Sequence, residues 1–182
     1  RTGIVDTVLA AQVVAGQPMQ ELCHGMRAIT QIHNMVRNGD YLLHHSVHVA
    51  ILAGLMGSWM RMPRERRRKL ILSGLLHDVG KLRISQDILN KPGKLTLTEL
   101  KVVQRHPQTG YEMLLQGPLA EDEEVLSGVQ QHHERNDGSG YPHGSKKAEI
   151  GDFGHILAIL DIYDAMAANR SYAKKRSPFD VF

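Results

Sequence analysis

The chain has 182 residues, of which 42% are hydrophobic and 23% are charged, a composition that suits one globular domain with a substantial core. No apolar run approaches the roughly 18 residues needed to cross a bilayer, which excludes a membrane-spanning segment. The single cysteine, Cys23, excludes a disulfide framework and a multi-cysteine zinc site. A net charge of +3 is too small to indicate a nucleic-acid binder. With 11 histidines, any metal must be held mostly by imidazoles and carboxylates.

Helical patterns recur along the chain, whereas strand patterns are weak. Apolar residues return at helical spacing in several segments, and breaks such as NGD at 38–40 and KPG at 91–93 separate them. The predicted helices cover residues 19–37, 41–61, 64–79, 98–106, 109–115, 121–134 and 152–168. A glycine-rich loop at 136–151 precedes the last of them. We therefore predict an all-α fold, a single-domain helical bundle with one conspicuous loop.

Polar side chains interrupt two of the most apolar helices. His77 and Asp78 end the apolar part of the helix at 64–79, and Asp161 lies inside the apolar run of the last helix. A buried imidazole or carboxylate must be paired or bound to a metal, since an unpaired one costs several kcal/mol. Plain structural alternatives are a backbone carbonyl as the partner of His77, a turn cap for Asp78 and an arginine partner for Asp161.

A further pair, His132 and His133, ends another predicted helix directly before the glycine-rich loop. Because neighbouring residues on a helix point about 100° apart, both serve one site only where the helix is ending or where two ions are held. A solvated pair is the plain alternative. His45 and His106 are weaker indications on their own.

These polar positions form a regular series. Successive groups lie 26 to 32 residues apart, so that one or two helices can lead out from a common point and back. The seven residues are His45, His77, Asp78, His106, His132, His133 and Asp161. Five imidazoles and two carboxylates suffice for two metal ions with one bridging carboxylate. The chain has no HExxH, GxSxG or P-loop motif, which argues against a zinc protease, a serine hydrolase and a nucleoside triphosphatase.

Two longer motifs make the sequence recognisable. HDVGK at 77–81, followed by HHERNDGSGYP at 132–142, resembles the HD-GYP family of cyclic-di-GMP phosphodiesterases, a branch of the HD metal-dependent phosphohydrolases. Further matching segments are HSVHVA at 45–50, DILNKPGKLT at 87–96, HPQTG at 106–110 and ILAILDIYDAM at 156–166. The resemblance runs from Tyr41 to Tyr172. It implies an HD-type helical fold and hydrolysis of cyclic-di-GMP to pGpG. Further cleavage of pGpG to GMP is compatible with the resemblance but is not implied by it.

The resemblance implies a site with two divalent metal ions, iron or manganese in the first place and nickel or zinc as alternatives. One metal is expected to be held by His45, His77, Asp78 and Asp161. The second is expected to be held by Asp78 as the bridging ligand, His106, His132 and His133. By the same resemblance His44 and His48 are not ligands. The implied reaction is attack by a hydroxide activated between the two metals.

The resemblance also implies which residues meet the substrate. Asp78 and Lys81 are the expected catalytic residues, and Lys81 faces the substrate phosphate. Arg170 is expected to reach a phosphate as well. The expected substrate-binding residues are Lys81, Gly140, Tyr141, Pro142 and Arg170, of which the three loop residues shape the surroundings of the ligand.

Two positions depart from the family pattern. Some members hold a third metal with a glutamate four residues before the position of His45, where this chain has Tyr41, so a two-metal site is expected. A basic residue often found three positions after Arg170 is replaced by Ala173, next to Lys174. This second departure bears on the strength of phosphate binding and leaves the expected reaction unchanged.

Other functions fit parts of this pattern. A phosphodiesterase for another cyclic dinucleotide, such as 3',3'-cGAMP, is one alternative, because nothing in the sequence determines the bases. A weakly active cyclic-di-GMP receptor is another, although its signature would be missing ligands and none is missing here. A di-iron redox protein is a third, and the phosphate-facing Lys81 and Arg170 argue against it.

The chain divides into two parts by the same reasoning. We expect residues 1–40 to form an N-terminal helical extension or linker helix. Residues 41–182 are expected to form the HD-GYP catalytic domain, truncated near its C-terminal end. A cytoplasmic location is expected. The expected partner is a cyclic dinucleotide substrate, and no binding to DNA, RNA or a membrane is expected. An upstream sensory or regulatory domain and a homodimer are further expectations.

Overall fold

The computed structural model describes residues 41–171, with side chains for residues 42–167, and the helix predicted at 19–37 lies outside this part. Its α-helices are α1 Tyr41–Trp59, α2 Arg64–Leu76, α3 Gln86–Leu89, α4 Leu97–Val103, α5 His106–Leu114, α6 Glu123–Gln131 and α7 Asp152–Ser171. Two short 3-10 helices are Val79–Arg83 and Lys147–Glu149. The described residues contain no β-strand, and the predicted all-α fold is confirmed. Within them, no helix combines the length and apolarity that crossing a membrane requires.

Four helices enclose the core of the bundle. α1 packs on α2 and α7, and α6 also packs on both α2 and α7. The buried side chains at the centre of this core are Val49, Ala53, Leu70, Phe153 and Leu157. Burial of a large apolar side chain stabilises a fold by about 1.5–3 kcal/mol. The bundle therefore holds the ends of its helices in fixed relative positions.

The turn that follows α2 lies against α5. α2 ends at Leu76, earlier than the predicted end at residue 79, and the chain turns into the 3-10 helix Val79–Arg83. A Cβ atom at Gly80 would overlap the carbonyl oxygen of His106 and would lie 2.7 Å from the amide nitrogen of Gly110. Only glycine fits such a close backbone approach. The end of α2 and the start of α5 are thus held side by side.

In the structure, the helix predicted over 98–106 ends early and the helix predicted over 109–115 begins early. α4 begins after Thr96, whose hydroxyl accepts the N–H of Glu99 at 3.3 Å while the Glu99 carboxylate accepts the N–H of Thr96 at 2.7 Å. α4 ends at Val103, and α5 begins at His106. The prediction that His106 ends a helix is wrong, because Pro107 lacks an N–H and fits the first turn of a new helix.

Candidate metal centre

Helix termini bring the predicted metal-ligand residues to one place in the bundle. They lie near the start of α1, directly after α2, at the start of α5, directly after α6 and midway along α7. In that order, these positions carry His45, His77 and Asp78, His106, His132 and His133, and Asp161. Because the packing of the bundle and the contact of α5 with the turn after α2 fix these positions, side chains far apart in sequence meet in space.

The potential ligand atoms form two groups. One group consists of His45, His77 and Asp161, and the other consists of Asp78, His106, His132 and His133. Within each group the ligand atoms lie within 4.8 Å of one another. The structure thus brings together all seven residues that the sequence indicates.

Asp78 belongs to the second group and also lies next to the first. Its Oδ1 atom is 3.1 Å from Nε2 of His106 and 3.9 Å from Nε2 of His132. Its Oδ2 atom is 3.5 Å from Nε2 of His77 and 3.9 Å from Nε2 of His45. Each carboxylate oxygen therefore faces a different group, which is the geometry that a bridging carboxylate requires.

The second group concentrates hydrogen-bond acceptors in a buried place. The Nδ1–H of His106 donates to the carbonyl oxygen of Val103 at 2.8 Å, and that of His132 donates to Val129, also at 2.8 Å. Because a carbonyl oxygen only accepts, the proton of a ring in its neutral form lies on Nδ1, which leaves Nε2 with its lone pair. The two Nε2 atoms are 3.2 Å apart, and the nearby Oδ1 of Asp78 is buried and receives no hydrogen bond. A cation among these three acceptors would relieve their repulsion, and histidines that bind metals donate their other ring N–H in this way.

The ionisation states of the second group suit a divalent metal. Burial, followed by the charges of neighbouring histidines, holds the pKa of His132 and the pKa of His133 well below the usual value. Burial alone would raise the pKa of Asp78, but the charges of Lys81 and His77 hold that pKa well below its usual range. At neutral pH, the neutral imidazoles of His132 and His133 therefore lie beside an ionised carboxylate, and imidazole and carboxylate donors are typical of iron, manganese, nickel or zinc sites.

The first group is held together by a short contact between Nε2 of His45 and Oδ1 of Asp161, at 3.0 Å. Burial alone would lower the pKa of His45, but hydrogen bonds to Asp161 and Asp164 raise it to about 9. Burial alone would raise the pKa of Asp161, but His45 and His77 lower it to about 2. The Nδ1–H of His77 donates to the carbonyl of Gly74 at 2.7 Å, while its Nε2 still faces Nε2 of His45 at 3.2 Å. A metal that binds His45 must displace a proton from it.

Lys81 lies beside the carboxylate that separates the two groups. Its ammonium donates to Oδ2 of Asp78 at 2.7 Å across one turn of the 3-10 helix. The cation is therefore placed at the cluster, and its contact with a substrate phosphate stays a prediction. The backbone of Arg170 lies in α7, but its side chain, together with Ala173 and Lys174, lies outside the described residues.

The predicted loop residues lie against the second group. The ring of Tyr141 stacks on His133, with centroids 4.6 Å apart and planes 29° apart, and it meets His106 edge-on at 6.4 Å. Burial, followed by the charges of nearby carboxylates, raises the pKa of Tyr141. The peptide bond between Tyr141 and Pro142 is cis. Gly140 lies so close to the chain after α6 that a Cβ there would be 2.5 Å from the carbonyl oxygen of His133.

One buried carboxylate at the site has no role among the predicted residues. Asp164 is 8% exposed and contacts the imidazoles of His45 and His48. Its spacing of three residues from Asp161 places both on one face of α7. From that spacing the sequence leaves two possibilities for Asp164, a partner of the ligands or a surface residue, and the structure shows it buried against His45 and His48.

Comparisons with known proteins identify the family of the chain. The model of the HD domain family matches residues 25–180. A cyclic di-GMP phosphodiesterase of Pseudomonas aeruginosa, PA4108, is 36% identical over 170 residues, which are 93% of this chain and 41% of that protein. The 3'3'-cGAMP-specific phosphodiesterase 1 of Vibrio cholerae is 35% identical over 169 residues, which are 90% of this chain and 39% of that protein. The chain thus spans about two fifths of the length of these relatives.

A solved structure supports the fold. Bd1817, an HDG"Y"P protein from Bdellovibrio bacteriovorus, superposes with a TM-score of 0.65 at 18% sequence identity, covering 96% of this chain and 59% of that one. At this identity the likeness concerns the fold alone. Together with the match of the family model over most of the sequence, it leads to one conclusion: the chain belongs to the HD domain family and carries the motifs of its HD-GYP branch.

Proposed function

We propose that this chain is the hydrolytic part of a metal-dependent phosphodiesterase that opens cyclic-di-GMP to linear pGpG. The observation that carries the proposal is the position of Asp78, whose two oxygens face two separate groups of imidazole and carboxylate ligands. Two-metal sites with a bridging carboxylate are typical of phosphodiester hydrolysis. Relatives named cyclic di-GMP phosphodiesterases support the choice of substrate.

The two groups define the proposed ligands. We assign one metal to His45, His77, Asp78 and Asp161, and the other to Asp78, His106, His132 and His133. Iron or manganese is the proposed metal, with nickel or zinc as alternatives, because imidazole and carboxylate donors suit all four. When bound, the ions lower the pKa of a coordinated water and offset negative charge on the phosphoryl oxygens.

The remaining residues of the site are proposed to bind and orient the substrate. The ammonium of Lys81, held by Asp78 at 2.7 Å, adds positive charge beside the cluster, where it stabilises charge that develops on a phosphoryl oxygen. The ring of Tyr141 covers His133 and limits the access of water to that side of the cluster. Gly140, Pro142 and Arg170 are proposed to contact the substrate. Residues 41–182 are proposed as the catalytic unit, and residues 1–40 as an extension of it.

The test is a hydrolysis assay on the purified protein. The protein is loaded with Fe(II) or Mn(II) under anaerobic conditions, and its metal content is measured. It is then incubated with cyclic-di-GMP, and the nucleotides are separated by chromatography. We expect pGpG or GMP to appear with about two metals bound per chain. Intact substrate with two metals bound would favour a receptor or another dinucleotide, and the absence of bound metal would refute the site.

A second candidate substrate is 3',3'-cGAMP. The observation in its favour is that a relative 35% identical over 169 residues is named a 3'3'-cGAMP-specific phosphodiesterase. Both dinucleotides present the same phosphodiester groups to the metal site and differ in one base. A competition assay with equal concentrations of the two separates the candidates, because the preferred dinucleotide is consumed first. A cytoplasmic location, an upstream sensory or regulatory domain and a homodimer stay predictions.

A further inference from the structure

A single buried carboxylate closes the loop that follows α6. Glu134 is only 3% exposed. One of its oxygens accepts the backbone N–H of His143 at 2.8 Å, and the other accepts the backbone N–H of Ser145 at 2.9 Å. A buried carboxylate is tolerated only where donors satisfy it. Glu134 therefore ties the far side of the loop to the end of α6, one residue after the His132-His133 pair.

This closure determines where Tyr141 lies. The backbone N–H of Tyr141 donates to the carbonyl oxygen of His133 at 3.2 Å, and its ring stacks on the imidazole of His133 with centroids 4.6 Å apart. Tyr141 is two residues before His143, so it lies on the stretch of chain that Glu134 holds. Gly140 permits the approach, since a Cβ there would be 2.5 Å from the Cα of Glu134.

Hydrogen bonds from the ring nitrogens orient His133 less than they orient His106 and His132. His106 and His132 are each oriented by a ring N–H that donates to a carbonyl oxygen at 2.8 Å. The Nδ1 atom of His133 lies 3.8 Å from Oδ2 of Asp161, a distance that is too long for a hydrogen bond. Three rings pack on His133: that of His132, with centroids 4.2 Å apart and planes 44° apart, that of His106, edge-on at 5.1 Å, and that of Tyr141, which at 29° is the most nearly parallel. Of the three, Tyr141 is the one that lies on the loop held by Glu134, so it is the contact through which the loop acts on the plane of His133.

We propose that Glu134 is a positioning residue of the metal centre. It acts through Tyr141 to keep the ring of His133 directed at Asp78 and the other ligands of the second group. The proposal rests on the proposed function in one respect, that His133 is a metal ligand. Glu134 itself touches neither substrate nor metal in this scheme. Its effect is transmitted by the two backbone hydrogen bonds and by the stacked ring.

The first test replaces the carboxylate by an amide of the same size. Glu134→Gln retains one oxygen acceptor but directs an NH2 group at the other backbone N–H. We expect one of the two Mn(II) sites to lose affinity roughly tenfold, in the range seen when groups that orient metal ligands are altered. Affinity is measured by titrating the metal-free protein with Mn(II) against a competing chelator, a readout independent of activity. Unchanged affinity at both sites would overturn the proposal.

The matched control is Glu149→Gln. Glu149 also accepts a backbone N–H, that of Lys146 at 2.7 Å, and it lies near the end of the same loop. It is exposed, and the hydrogen bond that its carboxylate accepts does not involve Tyr141 or His133. The Mn(II) affinities of this variant should equal those of the unaltered protein. An equal loss in both variants would mean that any change in the loop weakens the metal centre, which contradicts the specific role of Glu134.

A second set of variants tests the route through Tyr141 and remains available if Glu134→Gln does not fold. Tyr141→Leu removes the stacked ring without touching Glu134 and should weaken the same Mn(II) site. The double variant should bind Mn(II) no more weakly than Tyr141→Leu alone, because residues that act in series are not additive. Wild-type affinity in Tyr141→Leu, or additive losses in the double variant, would overturn the proposal. If the unaltered protein binds Mn(II) but hydrolyses no cyclic dinucleotide, the proposed function fails while these titrations still decide the role of Glu134.

Discussion

The Nδ1 atom of His45 lies 2.8 Å from Oδ2 of Asp164, which joins the start of α1 to the middle of α7. The other oxygen of Asp164 lies 3.2 Å from Nδ1 of His48. Burial alone would raise the pKa of Asp164, but the hydrogen bonds from both histidines lower it to about 2. Asp164 is thus an ionised carboxylate that orients the ring of His45, so that Nε2 faces Asp161 and His77.

Replacing this carboxylate by an amide should weaken metal binding without removing a ligand. Because Asp164→Asn loses the charge that orients His45, we expect the affinity of the first metal to fall about 10–100-fold. Chelator competition with Mn(II) measures the change. The matched control is Asp152→Asn at the exposed start of α7, where Asp152 pairs with Arg66 at 2.7 Å. Equal affinities for Asp164→Asn and the control would refute the role of Asp164.

The helices of the core could be predicted from sequence, and their exact ends could not. α2 and α7 begin at the predicted residues, because apolar periodicity reports the face that packs into the bundle. α2 ends early because His77 and Asp78 turn into the ligand cluster, an interaction with residues far away in sequence. The four-residue helix α3, Gln86–Leu89, was not predicted, since one turn is too short to show a period.

The same distinction applies to the site. Polar residues inside apolar runs are visible in sequence, which is why His77, Asp78 and Asp161 could be singled out as candidates. Their roles as ligands were implied by the resemblance to the HD-GYP family and not by the apolar runs. Asp164 and Glu134 could not be assigned in that way. Their roles depend on which histidine or backbone N–H the fold brings to them, and such partners lie between 9 and 119 residues away.

Removal of the carboxylate between the two groups should remove both activity and metal. In Asp78→Ala, both groups lose a negatively charged metal ligand, while the imidazoles around position 78 stay buried. We expect hydrolysis of cyclic-di-GMP to fall below detection and the metal content to drop from about two per chain. Metal analysis and product chromatography measure the two effects, with the exposed Asp87→Ala on α3 as the control. Retained activity in Asp78→Ala would contradict the two-metal assignment.

Lys81 should affect turnover rather than metal content. Lys81→Ala removes the ammonium that bonds to Asp78 at 2.7 Å but leaves every proposed ligand in place. We expect two metals to remain bound and kcat to fall by about 10²–10³-fold, the range for the loss of one donor to a developing oxyanion. Steady-state kinetics on metal-quantified protein tests this, and Lys101→Ala, an exposed lysine on α4, is the control. A loss of metal in Lys81→Ala would instead assign the lysine a role in maintaining the cluster.

The contact between the turn after α2 and α5 predicts a stability effect at Gly80. A methyl group there would overlap the carbonyl oxygen of His106, and neither backbone can move without displacing a ligand. We expect Gly80→Ala to lower the free energy of unfolding by about 1–3 kcal/mol or more, as for other overpacked sites. Urea unfolding of the metal-free protein measures it. The control is Gly117→Ala, whose Cβ would lie an unstrained 3.6 Å from the carbonyl oxygen of Leu114. Equal stability of the two variants would refute the argument.

A carboxylate at the start of α4 should make the free energy of unfolding depend on pH in the acidic range. The Glu99 carboxylate accepts hydrogen bonds from Lys91 Nζ at 2.7 Å, Thr96 N–H at 2.7 Å and the Thr96 hydroxyl at 2.9 Å. The bond from Lys91, followed by those from Thr96, lowers the pKa of Glu99 from 4.5 to about 2. Because the folded pKa lies below the unfolded one, this stabilisation is complete above pH 4.5 and is lost as the pH falls towards 2.

Glu99→Gln removes the titrating group and therefore tests this dependence directly. The difference in the free energy of unfolding between the metal-free parent and the variant should be constant above pH 5 and should shrink as the pH is lowered through the range of about 4.5 to 2. Added salt should reduce the difference at neutral pH, since solvent reaches the ion pair with Lys91. Urea unfolding at a series of pH values measures both effects. A difference that stays constant down to pH 3 would show that the capping carboxylate does not hold the depressed pKa that its hydrogen bonds imply.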